Sequence, residues 1–305
     1  MTESPPSGLS WWQELQPGLP VLQTGTPGDP GIYGPGSAAW HIGRERALLL
    51  AGGAALLLQI AHPLVAAGVA EHSDFRRDPF ARLRVTLETM LQITFGDRAQ
   101  AQAAAGRANA VHDRVHGRLR ERAGSLPRGA PYRATDPELA LWVHATLVFA
   151  ALDGYAWFVG PLSERERSRY YEETKAEAAL FGVARSYLPE SYADFKTYLL
   201  QMMDGSLLTG RGDAGSLARS IFEPRAPFPL RAVARCMKTA STPFLPERLR
   251  QEFDLPWGLR ERAEFRSAAA ALRAAMPLMP PHIRFWPHYD MALRRMAVPA
   301  GRPVR

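Results

Sequence analysis

The sequence predicts an all-α fold, a single helical domain with an extended N-terminal arm, and three observations predict it. From Trp40 onward the apolar residues recur at helical spacing, as in Leu83, Leu87, Met90, Leu91 and Thr94. The interruptions are prolines and glycines placed where helices stop and start. Runs that alternate apolar and polar residues, as strands require, are missing, so no β-sheet is expected.

Taken in order, residues 1–38 are rich in Pro, Gly and Ser and lack periodicity, which reads as a mobile or surface-wrapping arm docked through Trp11 and Trp12. The helical domain spans 39–298, and 299–305 form a tail. Its first long segment, Ala47 to Ala70, is 24 residues without a charge. At ~1.5 Å per residue such a helix reaches about 36 Å, enough for a hydrocarbon core of ~30 Å, so length alone does not separate a membrane span from a core helix. Gln59, His62 and Pro63 in its middle favour a buried helix kinked at His62-Pro63, because lipid penalises polar groups and broken hydrogen bonds. Gly52, Gly53, Gly68 and the alanines leave room for another helix or a flat ligand.

A second helix starts after SDFRRDP, with Asp78 as cap and Pro79 in the first turn, and runs to about Phe95. A third extends from about Arg98 to Gly117, where the glycine supplies the stop. Thr135 or Asp136 caps a second apolar central helix, and Ser163 with Glu166 three residues on forms the capping box of an amphipathic one. Shorter helices are expected at about 190–204, 213–222, 229–241, 246–253, 258–276 and 288–297.

Composition narrows the function classes. One cysteine, Cys236, excludes an intramolecular disulfide and a thiolate metal cluster, and reads as a small buried hydrophobe. The net charge of +7 is concentrated late: residues 1–200 hold 20 basic and 21 acidic side chains, and 201–305 hold 17 and 9. This excess is not laid out beside aromatics or on a recognition helix, so no nucleic-acid partner is expected, while weak peripheral attraction to anionic membranes stays open. The N-terminus carries no basic region followed by an apolar one, which makes the cytoplasm the expected location. Phosphate-binding glycine motifs and a G-x-S-x-G elbow are also missing.

Histidines carry the candidate chemistry. His62 and His144 sit in strongly apolar helices, where each is either a hydrogen-bonded core residue or a ligand. In VHDRVHG, His112 and His116 are four apart, the spacing of a two-histidine metal clip, but Asp113 stands where a zinc hydrolase needs glutamate. Arg82 and Thr86 are also four apart; the arginine either answers an anion in a pocket or is solvated on the helix exterior.

The stretches GGAALLLQIAHPLVAAGVAEHSDFRRDPFARLRVT, VHDRVHG, YRATDPELALWVHATLV, GPLSERERSRYYEE, LPERLR and PPHIRFWPHYDMALRR, in this order from about Gly31 to Arg295, resemble the DUF2236 family. That family comprises the catalytic domain of MpaB-type oxygenases and of the rubber oxygenase, or latex clearing protein. The resemblance implies a globin-like helical core holding haem b, with iron bound by an axial histidine. It also implies molecular oxygen as co-substrate and an apolar, isoprenoid- or lipid-like substrate cleaved at a C=C bond. The axial ligand of the rubber oxygenases lies in H-x-x-V-R, which matches His112 and Val115; His116 falls where those proteins carry arginine. Their arginine and threonine near the haem are matched by Arg82 and Thr86, while their intervening lysine is replaced by Val85. His62, His72 and His144 are the remaining cofactor-pocket candidates, and their catalytic glutamate has no motif-level counterpart, Glu71 being merely near in sequence. The competing function is a non-catalytic haem- or lipid-binding helical protein.

Overall fold

The structure is a computed structural model that describes residues 23–73, 79–223 and 228–297, with the backbone alone described at 79–83, 228–230 and 233. Its helices are α1 (Ala38–Gly43), α2 (Leu49–Ala61), α3 (Pro63–His72), α4 (Pro79–Phe95), α5 (Arg98–His112), α6 (Pro137–Phe158), α7 (Glu164–Leu180), α8 (Tyr192–Asp204), α9 (Asp213–Phe222), α10 (Phe228–Ser241), α11 (Glu247–Glu252), α12 (Leu259–Ala275), α13 (Pro281–Arg284) and α14 (Pro287–Ala297). The all-α expectation holds, with one exception. Strands β1 (His116–Arg118) and β2 (Pro131–Arg133) form an antiparallel pair with Gly117 opposite Tyr132.

The uncharged segment is broken where the sequence indicates. Pro63 cannot donate a backbone hydrogen bond and forces the residue before it out of helical geometry. His62 is accordingly extended (φ −75°, ψ 118°), and the chain bends by 99° between α2 and α3. His62 then caps α3, its Nδ1 accepting from the Leu64 N–H at 3.3 Å.

α2 forms the centre of the core, with Ala51, Ala54, Leu57, Leu58 and Ala61 wholly buried. α6 packs along one side of it, where the Trp142 indole donates to the Leu58 carbonyl at 3.0 Å and Gln59 donates to Thr146 at 3.0 Å. Gly154 of α6 meets Ala51 so closely that a Cβ there would lie 2.6 Å from the alanine methyl. α10 covers another side, with Ser241 against Gly53, while Tyr132 and Val115 cover Gly68. Gly53 and Gly68 thus seat α10 and the hairpin, while Gly52 meets only Leu49 of its own helix. α6 is long and apolar enough to cross a membrane, yet most of it is buried within the protein.

The described part of the arm, residues 23–37, wraps the surface. Thr26 donates its N–H to Asp97 at 2.7 Å. Arg295, only 2 % exposed, donates to the carbonyls of Asp29, Thr24 and Phe95. Trp11, Trp12 and Asp78 lie outside the described residues. Cys236 departs from expectation: it is exposed, because α10 turns Ala234, Met237 and Ala240 inward and leaves position 236 outside.

Candidate active site

α4 and α5 build the site region as a tight antiparallel hairpin. Asp97 makes the turn, accepting from the Gln100 N–H at 2.7 Å while the Gln100 side chain accepts from the Asp97 N–H at 2.9 Å. Burial opposes ionisation of Asp97, but these bonds and those from Thr26 outweigh it and hold its pKa below the usual value. Ile93 clusters with Ala104 and Ala105, and Arg107 donates to Gln92 at 2.6 Å. Continuing that register to the open end sets Thr86 level with His112, and the Arg82 backbone about one turn farther out. Thr86 is exposed; the Arg82 side chain lies outside the described residues.

His112 is the last residue of α5, half-buried, its ring 6.2 Å from that of Phe181. It shares the inward side of the helix with Ala101 and Ala105. On either side of this end the helices expose large apolar side chains, Val85 at 53 % and Val111 at 55 %.

The expected continuation of α5 to Gly117 is corrected. The helix stops at His112, and the chain pairs with β2 instead, with Tyr132 occupying the space where any residue but glycine at 117 would put its Cβ. His116 therefore lies in a strand and no longer shares a helix face with His112. Among the described residues no group of three or more His, Cys, Asp or Glu is arranged to hold a metal ion.

His72 joins the same region, its Nε2 lying 3.1 Å from the His116 carbonyl oxygen. Beside it Glu71 accepts from the Tyr132 hydroxyl at 2.7 Å and pairs with Arg120 at 2.9 Å. Burial and this carboxylate raise the Tyr132 pKa. His62 and His144 lie elsewhere in the core, and burial lowers both to about 4, so each is neutral near pH 7. His144 faces α7, where its Nδ1 is 4.0 Å from Glu177 and its Nε2 has no hydrogen-bond partner among the described residues. Glu177 accepts from Tyr33 of the arm at 3.2 Å, and burial raises it to about 7. No local signal marks this Tyr33–Glu177–His144 cluster, since Glu177 is one of many carboxylates on an amphipathic helix.

Residues 39–274 match the family described as the catalytic domain of ER-bound oxygenase mpaB/B' and rubber oxygenase. The chain belongs to this oxygenase family. Two uncharacterized relatives, from Mycobacterium bovis and Mycobacterium tuberculosis, are each 28 % identical over 232 residues, covering 74 % of this chain and 87 % of theirs. No solved structure matches the chain. Membership in the family makes it an oxidoreductase of the oxygenase class, whose substrate is a small molecule.

Proposed function

We propose that the protein is a haem b-dependent oxygenase of apolar, isoprenoid- or lipid-like substrates, with oxidative cleavage of a C=C bond as the reaction. The observation that supports this reading is the register of the α4–α5 hairpin, which sets the three motif residues from the resemblance, Arg82, Thr86 and His112, within about one turn of each other along its open end. The donor chemistry fits: a half-buried imidazole beside an aromatic ring, flanked by exposed valines that an apolar macrocycle would cover.

His112 would hold the iron through one ring nitrogen. Arg82 would answer a propionate or another anionic oxygen with its fixed, planar set of donors. Thr86 would offer a hydroxyl donor at the same level, and His72 would orient the segment after α5 through the His116 carbonyl. His62 and His144, neutral and buried, would support the pocket through the core that they pack. Once bound, the haem would supply the oxygen chemistry, while the protein supplies an axial ligand, orientation and exclusion of water. The globin-like character of the core belongs to the same proposal.

The test is oxygen consumption by haem-loaded protein with an unsaturated isoprenoid and with its saturated counterpart. The reading expects uptake with the alkene alone and a carbonyl product. A protein that binds haem but consumes no oxygen across a panel of alkenes would be the non-catalytic carrier instead.

A further inference from the structure

A cleft of about 380 Å³ lies between the end of α9 and the outer face of α10, lined by Phe222, Glu223, Arg231, Arg235 and Lys238. It contains none of the residues of the proposed oxygenase site. Arg231, Arg235 and Lys238 recur at intervals of four and three, so α10 presents all three cations along one stripe. The opposite side of the helix, with Ala234, Met237 and Ala240, is buried against α2. That packing fixes the stripe rigidly toward solvent.

Among the described residues the charges in this cleft are not balanced. Glu223 sits 3.5 Å from Lys238 and neutralises one of them. Arg231 and Arg235 are both exposed, and neither guanidinium has a hydrogen bond or ion pair among the described residues. Like charges one turn apart disfavour the helix that carries them. The cleft thus holds a residual charge of two, displayed as two adjacent planar donor forks. A carboxylate would neutralise half of that. A phosphate monoester carries about −1.5 to −2 near pH 7 and three acceptor oxygens, which matches both the charge and the donors.

We propose that this cleft is a binding site for a phosphate group, held by Arg231 and Arg235 with Lys238 at its edge and Phe222 as an apolar wall. The phosphate belongs either to a small phosphorylated molecule or to an anionic lipid headgroup, and the experiment separates these sources. Binding of inorganic phosphate is measured by titration calorimetry against chloride at equal ionic strength, and binding to vesicles containing phosphatidic acid, whose headgroup is a phosphate monoester, by flotation against phosphatidylcholine vesicles. Both are run on the full chain, on Arg231→Gln/Arg235→Gln, and on a control with Arg260→Gln/Arg266→Gln, which removes equal charge from α12. Far-UV circular dichroism checks that each variant folds.

Each charge-assisted contact is worth roughly tenfold in affinity, so the α10 variant is expected to lose roughly a hundredfold while the control keeps wild-type binding. Loss confined to inorganic phosphate assigns the site to a small phosphorylated molecule, and loss confined to the vesicles assigns it to a headgroup. Equal weakening in both variants, or binding of neither probe by the wild type, overturns the proposal. Neither readout depends on haem or on turnover, so failure here leaves the oxygenase reading standing.

Discussion

Replacing Glu177 by glutamine isolates a buried ionisation whose cost follows from the structure. Glu177 is 7 % exposed, beside an imidazole that is itself uncharged, and its pKa rises from 4.5 to about 7. Between these values the folded protein keeps a proton that the unfolded chain has lost, so stability falls as pH rises through this window and the loss is complete above pH 7. The difference corresponds to about 3 kcal/mol. His144 and His62 act in the opposite sense. Their pKa values fall from 6.5 to about 4, so their contribution is intact above 6.5 and is lost as pH falls toward 4.

Subtracting the variant's stability curve from the wild type's cancels the unchanged His62 term and exposes Glu177. The amide keeps an oxygen for Tyr33 and cannot ionise. In urea unfolding, the Glu177→Gln variant should gain on the wild type by about 3 kcal/mol between about pH 5 and pH 8. A stability difference that stays flat over that interval, or that shrinks toward alkaline pH, would refute the assignment of a protonated buried carboxyl.

Three other outcomes are expected. Asp97→Ala removes the capping box of α5 and an acceptor for the Thr26 N–H, and should cost about 1–2 kcal/mol in denaturant unfolding. Gly154→Ala forces a methyl group against Ala51 and should cost about 1–3 kcal/mol, whereas the same change at Gly106, which faces open space, should be neutral or stabilising in the same assay. Arg82→Ala should keep the wild-type unfolding midpoint while lowering turnover on an accepted alkene on the order of a hundredfold; unchanged turnover would remove its catalytic assignment.

Much of this fold was legible in the sequence because it is written in local signals. Pro63 announced the break between α2 and α3, and Asp136 and Ser163 announced the starts of α6 and α7. The misses arose where distant contacts outweighed local propensity. Residues 113–117 carry a helical histidine spacing, but Tyr132 packs on Gly117 and Gly68 and draws the chain into a strand. Cys236 is exposed against expectation because composition says nothing about which side of an amphipathic helix meets α2. Motif order offers Arg82, Thr86 and His112 as candidates through the resemblance, while the level shared by Thr86 and His112 depends on the α4–α5 register, which no local pattern encodes. The Tyr33–Glu177–His144 cluster joins three segments remote in sequence, and each of its members looks ordinary in its own surroundings.

The most direct measurement is the absorption spectrum, with iron quantification, of the wild type beside His112→Ala and His116→Ala. The account predicts a haem Soret band and about one iron per chain in the wild type and in His116→Ala, with both lost or sharply reduced in His112→Ala. Undiminished haem binding in His112→Ala, or a wild type that takes up no haem, would contradict it.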